Sequence, residues 1–254
     1  MKKLTSITLL FISLLLWSGA SAAIEKDKDE LVSSLIELFK SNDRKAIAQK
    51  VRFPLARKKP LSPIRNQLEF IERYDEIFDS NLIEFIVSSN PMTDWSEMGW
   101  RGIMFKSGTM WLDIDGTIWS VNYESEIEKE TRIKLINDQK NKLHPSLNQF
   151  EKPILEWQTD SSHIRIDDLG KYNYRYASWS IDKSTNEKPN LILTNGEIVF
   201  DGSGGNHYYV FKNGHYKYRC YVSVIGNSES PSGTIEVFKA GTLLLKKAVK
   251  PNKI

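Results

Sequence analysis

The side chains best suited to catalysis or metal ligation are few: His144, His163, His207, His215 and the one cysteine, Cys220. A zinc site draws on several such ligands, usually with one pair a few residues apart. No two of these histidines form an H-x-x-x-H pair, and no second cysteine offers a soft ligand, so neither metal nor cofactor is expected. His207 and His215 flank Asn213-Gly214 and could approach across a hairpin, although ordinary strand-surface histidines fit the same spacing. Cys220 lies in the alternating run Tyr218-Arg219-Cys220-Tyr221-Val222, which reads as a small buried strand residue rather than a reactive thiol. Asp167 and Asp168 are adjacent, so in a strand they point to opposite faces and cannot act as an acid–base pair. Asp113-Ile114-Asp115-Gly116 resembles the start of a calcium loop, but its glycine falls too early and the following residues alternate like a strand. Gly202-Ser203-Gly204-Gly205-Asn206-His207 is glycine-dense, yet it precedes a strand and lacks the spacing of a dinucleotide site, a P-loop or a nucleophile elbow. No catalytic residue emerges.

Binding chemistry is better represented. Trp95, Trp100, Trp111 and Trp119 cluster in one short stretch, with Met98, Met104 and Met110 among them. Tyr172, Tyr174 and Tyr176 alternate strictly, which places all three on one strand face. Such aromatics serve as core or as rigid, low-entropy contact surface for a protein or glycan. The candidate ligand- or partner-binding residues are Tyr74, Trp100, Trp111, Trp119, Tyr172, Tyr174, Tyr176 and Tyr209. Arg52, Arg57, Lys58, Lys59 and Arg65 crowd one proline-punctuated loop, which suits an acidic partner, anionic headgroups or plain solvation.

The elements that must position these residues are legible in outline. Leu31, Val32, Leu35, Ile36, Leu38 and Phe39 recur at helical spacing over Glu25–Lys40, and Asp43 can cap a short helix from Arg44. Asn66-Gln67-Leu68-Glu69 has the form of a capping box, opening a helix with Leu68, Ile71, Tyr74 and Phe78 on one face. From Trp100 to Tyr123 the pattern is strand, turn at Lys106-Ser107-Gly108, strand, turn at Asp115-Gly116, strand. A charged stretch, 124–143, reads as a solvated helix or linker. Beyond it Asn195-Gly196, Asn213-Gly214 and Ala240-Gly241 are hairpin signals between apolar runs, which predicts an all-β unit, a small sandwich or barrel.

In order of elements and aromatic positions, residues 25–125 resemble the NTF2-like (cystatin-like) superfamily: two helices, Phe53-Pro54-Leu55, a helix with Glu69-Phe70-Ile71 and Tyr74, then a Trp- and Gly-containing sheet ending on Asp115-Gly116. The resemblance implies a sheet curled around a helix into an open-mouthed cone, a fold that hosts isomerases, dehydratases and plain binding domains. Residues 23–125 contain no histidine, which removes the commonest general base. The expected fold class is thus an α+β N-terminal domain, an NTF2-like cone, followed by a mostly-β C-terminal domain. No family is recognised for the C-terminal part.

Lys2 and Lys3, the apolar run Ile7–Trp17 and the small residues Ala20-Ser21-Ala22 have the pattern of a cleavable secretory signal, with the cut expected before Ala23. The expected divisions are 1–22 signal peptide, 23–125 α+β domain, 126–147 charged helical linker and 148–254 all-β domain. Of 35 Lys+Arg, Lys2 and Lys3 leave with the signal, and the remaining 33 nearly balance 32 Asp+Glu. That balance gives no electrostatic footprint for nucleic acid. No later segment is long and apolar enough to span a bilayer. The expected function is that of an exported, periplasmic or secreted, non-catalytic envelope binding protein, such as an immunity or inhibitor protein acting on another protein. The alternative is a small-ligand carrier or enzyme using the pocket of the first domain, with Tyr74, Asp75 or Asp113 as its polar groups.

Overall fold

The computed structural model describes residues 27–202, 204–224, 231 and 233–251; the expected signal peptide and Ser203 of the glycine-dense loop lie outside the described residues. Among the described residues no helix is long and apolar enough to cross a membrane.

The described residues open with five helices, α1 (Lys28–Lys40), α2 (Arg44–Gln49), α3 (Gln67–Glu72), α4 (Tyr74–Ile77) and α5 (Ser80–Val87). Their starts are fixed by side chains: Asp43, Asn66 and Asp79 accept from backbone amides of the first turn at 2.9–3.0 Å, each bond supplying one of the helix's unpaired donors. Glu69 reaches back to the amide of Arg65 at 2.9 Å and completes a variant of the capping box. Four strands follow, β1 (Trp95–Glu97), β2 (Ile103–Phe105), β3 (Met110–Leu112) and β4 (Ile118–Val121), hydrogen-bonded in chain order. Alternation sends Trp95, Ile103, Phe105, Met110, Leu112, Ile118 and Val121 inward, where they meet Val32, Phe39, Ile47, Phe70, Tyr74, Phe78 and Leu82 of the helices in one core. Each large apolar side chain removed from water there contributes about 1.5–3 kcal/mol.

This arrangement corrects the expected architecture. The first half is not an NTF2-like cone: its four strands hold only three or four residues each, too few to curl a sheet around a helix, and the helices pack as a layer on one face. The chain as a whole is mostly β, because the longer strands all come later.

Helix α6 (Glu126–Lys142) leads into them. Far from fully solvated, it is held at both ends. Ser125 caps it, and Glu128 is buried against Arg57, which also donates to the carbonyls of Val121 and Tyr123. At the other end Gln139 accepts from Arg165 at 3.0 Å.

Eight strands then run antiparallel in chain order: β5 (Lys152–Gln158), β6 (Ser162–Asp168), β7 (Tyr174–Ser180), β8 (Leu191–Phe200), β9 (His207–Asn213), β10 (Tyr216–Val222), β11 (Gly233–Lys239) and β12 (Thr242–Ala248). The sheet curls until a two-residue strand after β12, β13 (Lys250–Pro251), pairs with Gln158 and Trp157 of β5. Asn195-Gly196 is not the expected hairpin turn. Asn195 takes φ +57° within β8 and a register shift faces it on β7, so the pair forms a bulge that lets β8 serve β7 above and β9 below. Asn213-Gly214 and Ala240-Gly241 do sit at turns, joining β9 to β10 and β11 to β12.

The interior of the curl is full. Trp157, Tyr174, Tyr176, Tyr209, Phe211, Cys220 and their aliphatic neighbours form a single cluster. Two positions show how tightly: a Cβ on Gly196 would lie 2.1 Å from the ring of Phe211, and one on Gly233 would lie 2.5 Å from the indole of Trp157. Outside, segment 143–150 and α6 cover β6 and β7. There Asp167 accepts from Arg165 and Arg175, both at 2.7 Å, and Arg175 also donates to the carbonyls of Leu147 and Gln149.

Candidate functional site

The four-stranded sheet has one face on the core and one toward solvent. On the outer face directly paired residues form a row, Ser96, Met104, Trp111 and Ser120. A register shift beside Trp111 leaves Trp119 as an extra residue of β4, which turns it onto the same surface. The two indoles meet at 5.8 Å between ring centres, tilted by 47°. Gly108, at φ +91°, lies under Trp111, where a Cβ would stand 3.3 Å from Nε1. Trp119 keeps 39% of its surface exposed, and Trp100, on the turn between β1 and β2, keeps 72%. Ser120 and Asn122 are hydrogen-bonded at the margin, and Asn122 also holds the carbonyl of Gly108. The result is an aromatic surface with Ser120 and Asn122 at its margin, suited to apolar contact rather than to proton transfer.

The other candidate residues are placed differently. Tyr74 is fully buried among Phe70 and Phe78, with the Arg44 guanidinium 4.6 Å from its ring centre. Its hydroxyl is buried without a hydrogen-bond partner, and burial pushes the phenol up to about 12. Asp75 makes a bidentate pair with Arg44 on the surface, and Asp113 pairs with Arg52 beside the Asp113–Gly116 turn. The three polar groups of the enzyme alternative therefore do not converge in one apolar pocket. Tyr174, Tyr176 and Tyr209 all lie inside the curled sheet, Tyr174 edge-on to Tyr209 at 4.9 Å and Tyr176 against Phe211 at 5.6 Å. Burial raises the pKa of all three. Tyr172 does not share their face: it precedes β7 in a turn, at φ +59°, and is 85% exposed.

The remaining groups resolve into structural roles. In the basic loop, Arg52, Arg57, Lys58 and Arg65 are paired with Asp113, Glu128, Glu124 and Glu69, so most of its charge is spent inside the molecule. His207 starts β9 while His215 sits in the turn at its far end, so the two are not brought together. Asp113–Gly116 is a hydrogen-bonded hairpin turn. Among the described residues no three His, Cys, Asp or Glu side chains are grouped to hold a metal ion. A cavity of about 30 Å³ lined by Leu143, Glu156, His163, Arg165, Trp179 and Thr185 has room for one water.

Sequence reasoning missed a second surface. The outer face of β9–β11 carries Tyr208 and Tyr221, stacked at 6.4 Å, with Arg219 over both Tyr208 and Phe238. Beside it runs β12 with exposed Leu243, Leu244 and Leu245. The available signal was regional charge: β9 to β12 hold six Lys and Arg and a single acid, Glu236, although the whole chain has 35 Lys+Arg against 32 Asp+Glu. Compared with protein-family models, with curated proteins and with solved structures, the chain has no match.

Proposed function

We propose that this chain is a non-catalytic binding protein of the cell envelope, exported by its N-terminal signal and acting on another protein in the manner of an immunity or inhibitor protein. The observation that carries this reading is the tryptophan surface: on the outer face and rim of one small sheet Trp100 and Trp119 are exposed, and half-buried Trp111 packs against Trp119. Large exposed aromatics on a rigid sheet present contact area at little cost in side-chain entropy, which is the chemistry of a protein-binding surface. The carrier alternative has less support. The helices and the four-stranded sheet of the first half close on one filled core, and the polar groups offered for acid–base work are dispersed.

The test is affinity capture from native envelope extract on immobilised residues 23–254, run beside the double variant Trp100→Ala, Trp119→Ala. One stoichiometric protein retained by the native chain and lost by the variant is the expected result. Equal retention by both, or nothing retained above a blank column, overturns it. Trp100→Ala should cost no more than about 0.5 kcal/mol, and Trp119→Ala about 0.5–1.5 kcal/mol more through its lost contact with Trp111, so a urea melt should still show a cooperatively folded variant.

A further inference from the structure

We infer that the free edge of β12 is a docking site for an extended, acidic segment of a partner protein, which adds to the sheet as a further antiparallel or parallel strand. This goes beyond the tryptophan surface and uses a different part of the molecule.

The argument begins with the seam of the curled sheet. β5 is paired on its outer side only by Lys250 and Pro251, and β12 is paired only to β11. Because the seam is staggered, Thr242–Lys246 runs past the end of β5, and among the described residues no strand pairs its outer edge. An unpaired edge offers a row of backbone donors and acceptors that another strand can satisfy. This edge is also apolar: Leu243, Leu244 and Leu245 are 48%, 55% and 37% exposed. Leucines in such positions lie where the alternate side chains of an added strand would rest.

Charge decides between the possible occupants. Six cations, Lys212, Lys217, Arg219, Lys239, Lys246 and Lys247, lie on β9 to β12 against one acid, Glu236. Glu236 is shared by Arg219 and Lys246, and Lys247 is paired with Asp160. Lys212, Lys217 and Lys239 have no carboxylate partner among the described residues; Lys217 and Lys239 rest instead over Phe238 and Tyr216. A second copy of this chain would bring an equally cationic sheet against the first, which like-charge repulsion opposes. A segment alternating carboxylates with apolar residues answers both features: its acids on one face lie beside Lys246 of β12, its apolar side chains on the other lie beside Leu245, and its backbone completes the ladder. A polyanion or anionic membrane would answer the charge alone and leave the leucine edge unused.

The experiment uses the full mature chain and a fluorescent synthetic peptide of alternating Glu and Val. Its controls are the matching Lys–Val peptide, polyglutamate, and the Glu–Val peptide with alternate backbone amides N-methylated. Binding of the acidic peptide is expected, with slowed amide exchange at 242–246 and about tenfold weaker binding to the variant Lys246→Glu. Loss of binding on N-methylation is expected, because a strand that cannot donate cannot join the ladder. The proposal is overturned if the N-methylated peptide or polyglutamate binds as well as the parent. It is equally overturned if the Lys–Val peptide binds as well, if nothing binds, or if the chain dimerises through this edge. The variant Trp100→Ala, Trp119→Ala should bind the peptide unchanged, so failure here and failure of the capture experiment are separate results.

Discussion

Tyr74 shows both what a side chain's place on a periodic pattern reveals and what it hides. The run Leu68, Ile71, Tyr74, Phe78 identifies an apolar face, and Tyr74 and Phe78 are indeed buried; Leu68, however, is exposed. α3 stops at Glu72 and α4 restarts at Tyr74, so one helical period cannot be carried across Arg73, and Phe70 and Ile77 take the inward positions instead. The hydroxyl of Tyr74 has no partner, a cost of about 1–3 kcal/mol for a buried polar group. Tyr74→Phe should therefore leave stability at neutral pH unchanged or raise it by about 1 kcal/mol in a urea melt. The phenol's pKa rises from 10.0 to about 12 on folding, chiefly through burial, with Arg44 opposing. Below pH 10 both states hold the proton and the group adds no pH dependence. As pH climbs from 10 towards 12 only the unfolded chain releases it, so stability falls across that window. The difference between native and Tyr74→Phe curves should grow in favour of the variant over the same interval; parallel curves would sink this account.

At the scale of elements, two identical dipeptides had different fates. Asn213-Gly214 turns a hairpin, whereas Asn195-Gly196 makes a bulge inside a ten-residue strand. Both uses draw on the same tolerance of asparagine and glycine for left-handed or crowded backbone. What separates them is the partner strand, which a local pattern does not contain. Gly196 has a further reason to be glycine, since the ring of Phe211 occupies the space a Cβ would need. Gly196→Ala should cost about 1–3 kcal/mol by overpacking, read from the urea midpoint. Phe211→Leu in the same chain should recover part of that loss, because the two changes share one space. Full additivity of the two would show that Phe211 is not what Gly196 accommodates. The tryptophan surface was legible as a set of residues but not as a site: alternation shows which residues oppose each other, while the bulge that swings Trp119 beside Trp111 comes only from the register of β3 with β4.

The molecule as a whole joins a small helix-and-sheet half to a curled eight-stranded sheet through a helix anchored in both. Turn spacing revealed many of the later strands and left a sandwich and a barrel open, and the cone expected for the first half failed because strand length, not strand number, governs whether a sheet can bend around a helix. Cys220 makes the closed state measurable. It is fully buried in the interior cluster, and burial alone pushes its thiol up, so it stays protonated and shielded. At about pH 8 its reaction with a soluble thiol reagent should be ~100-fold slower in the native chain than in denaturant; comparable rates would mean the interior is open. The seam where Gln158 meets Lys250 has a consequence for the order of events. Every other neighbour pair in the curled sheet is also a neighbour along the chain and can zip as soon as its hairpin exists. The seam must wait until residue 251 has been delivered, so a chain made amino end first spends the last part of its synthesis as an unclosed ribbon with two bare margins, and whatever guards it against stray pairing must do so until that final latch is in place.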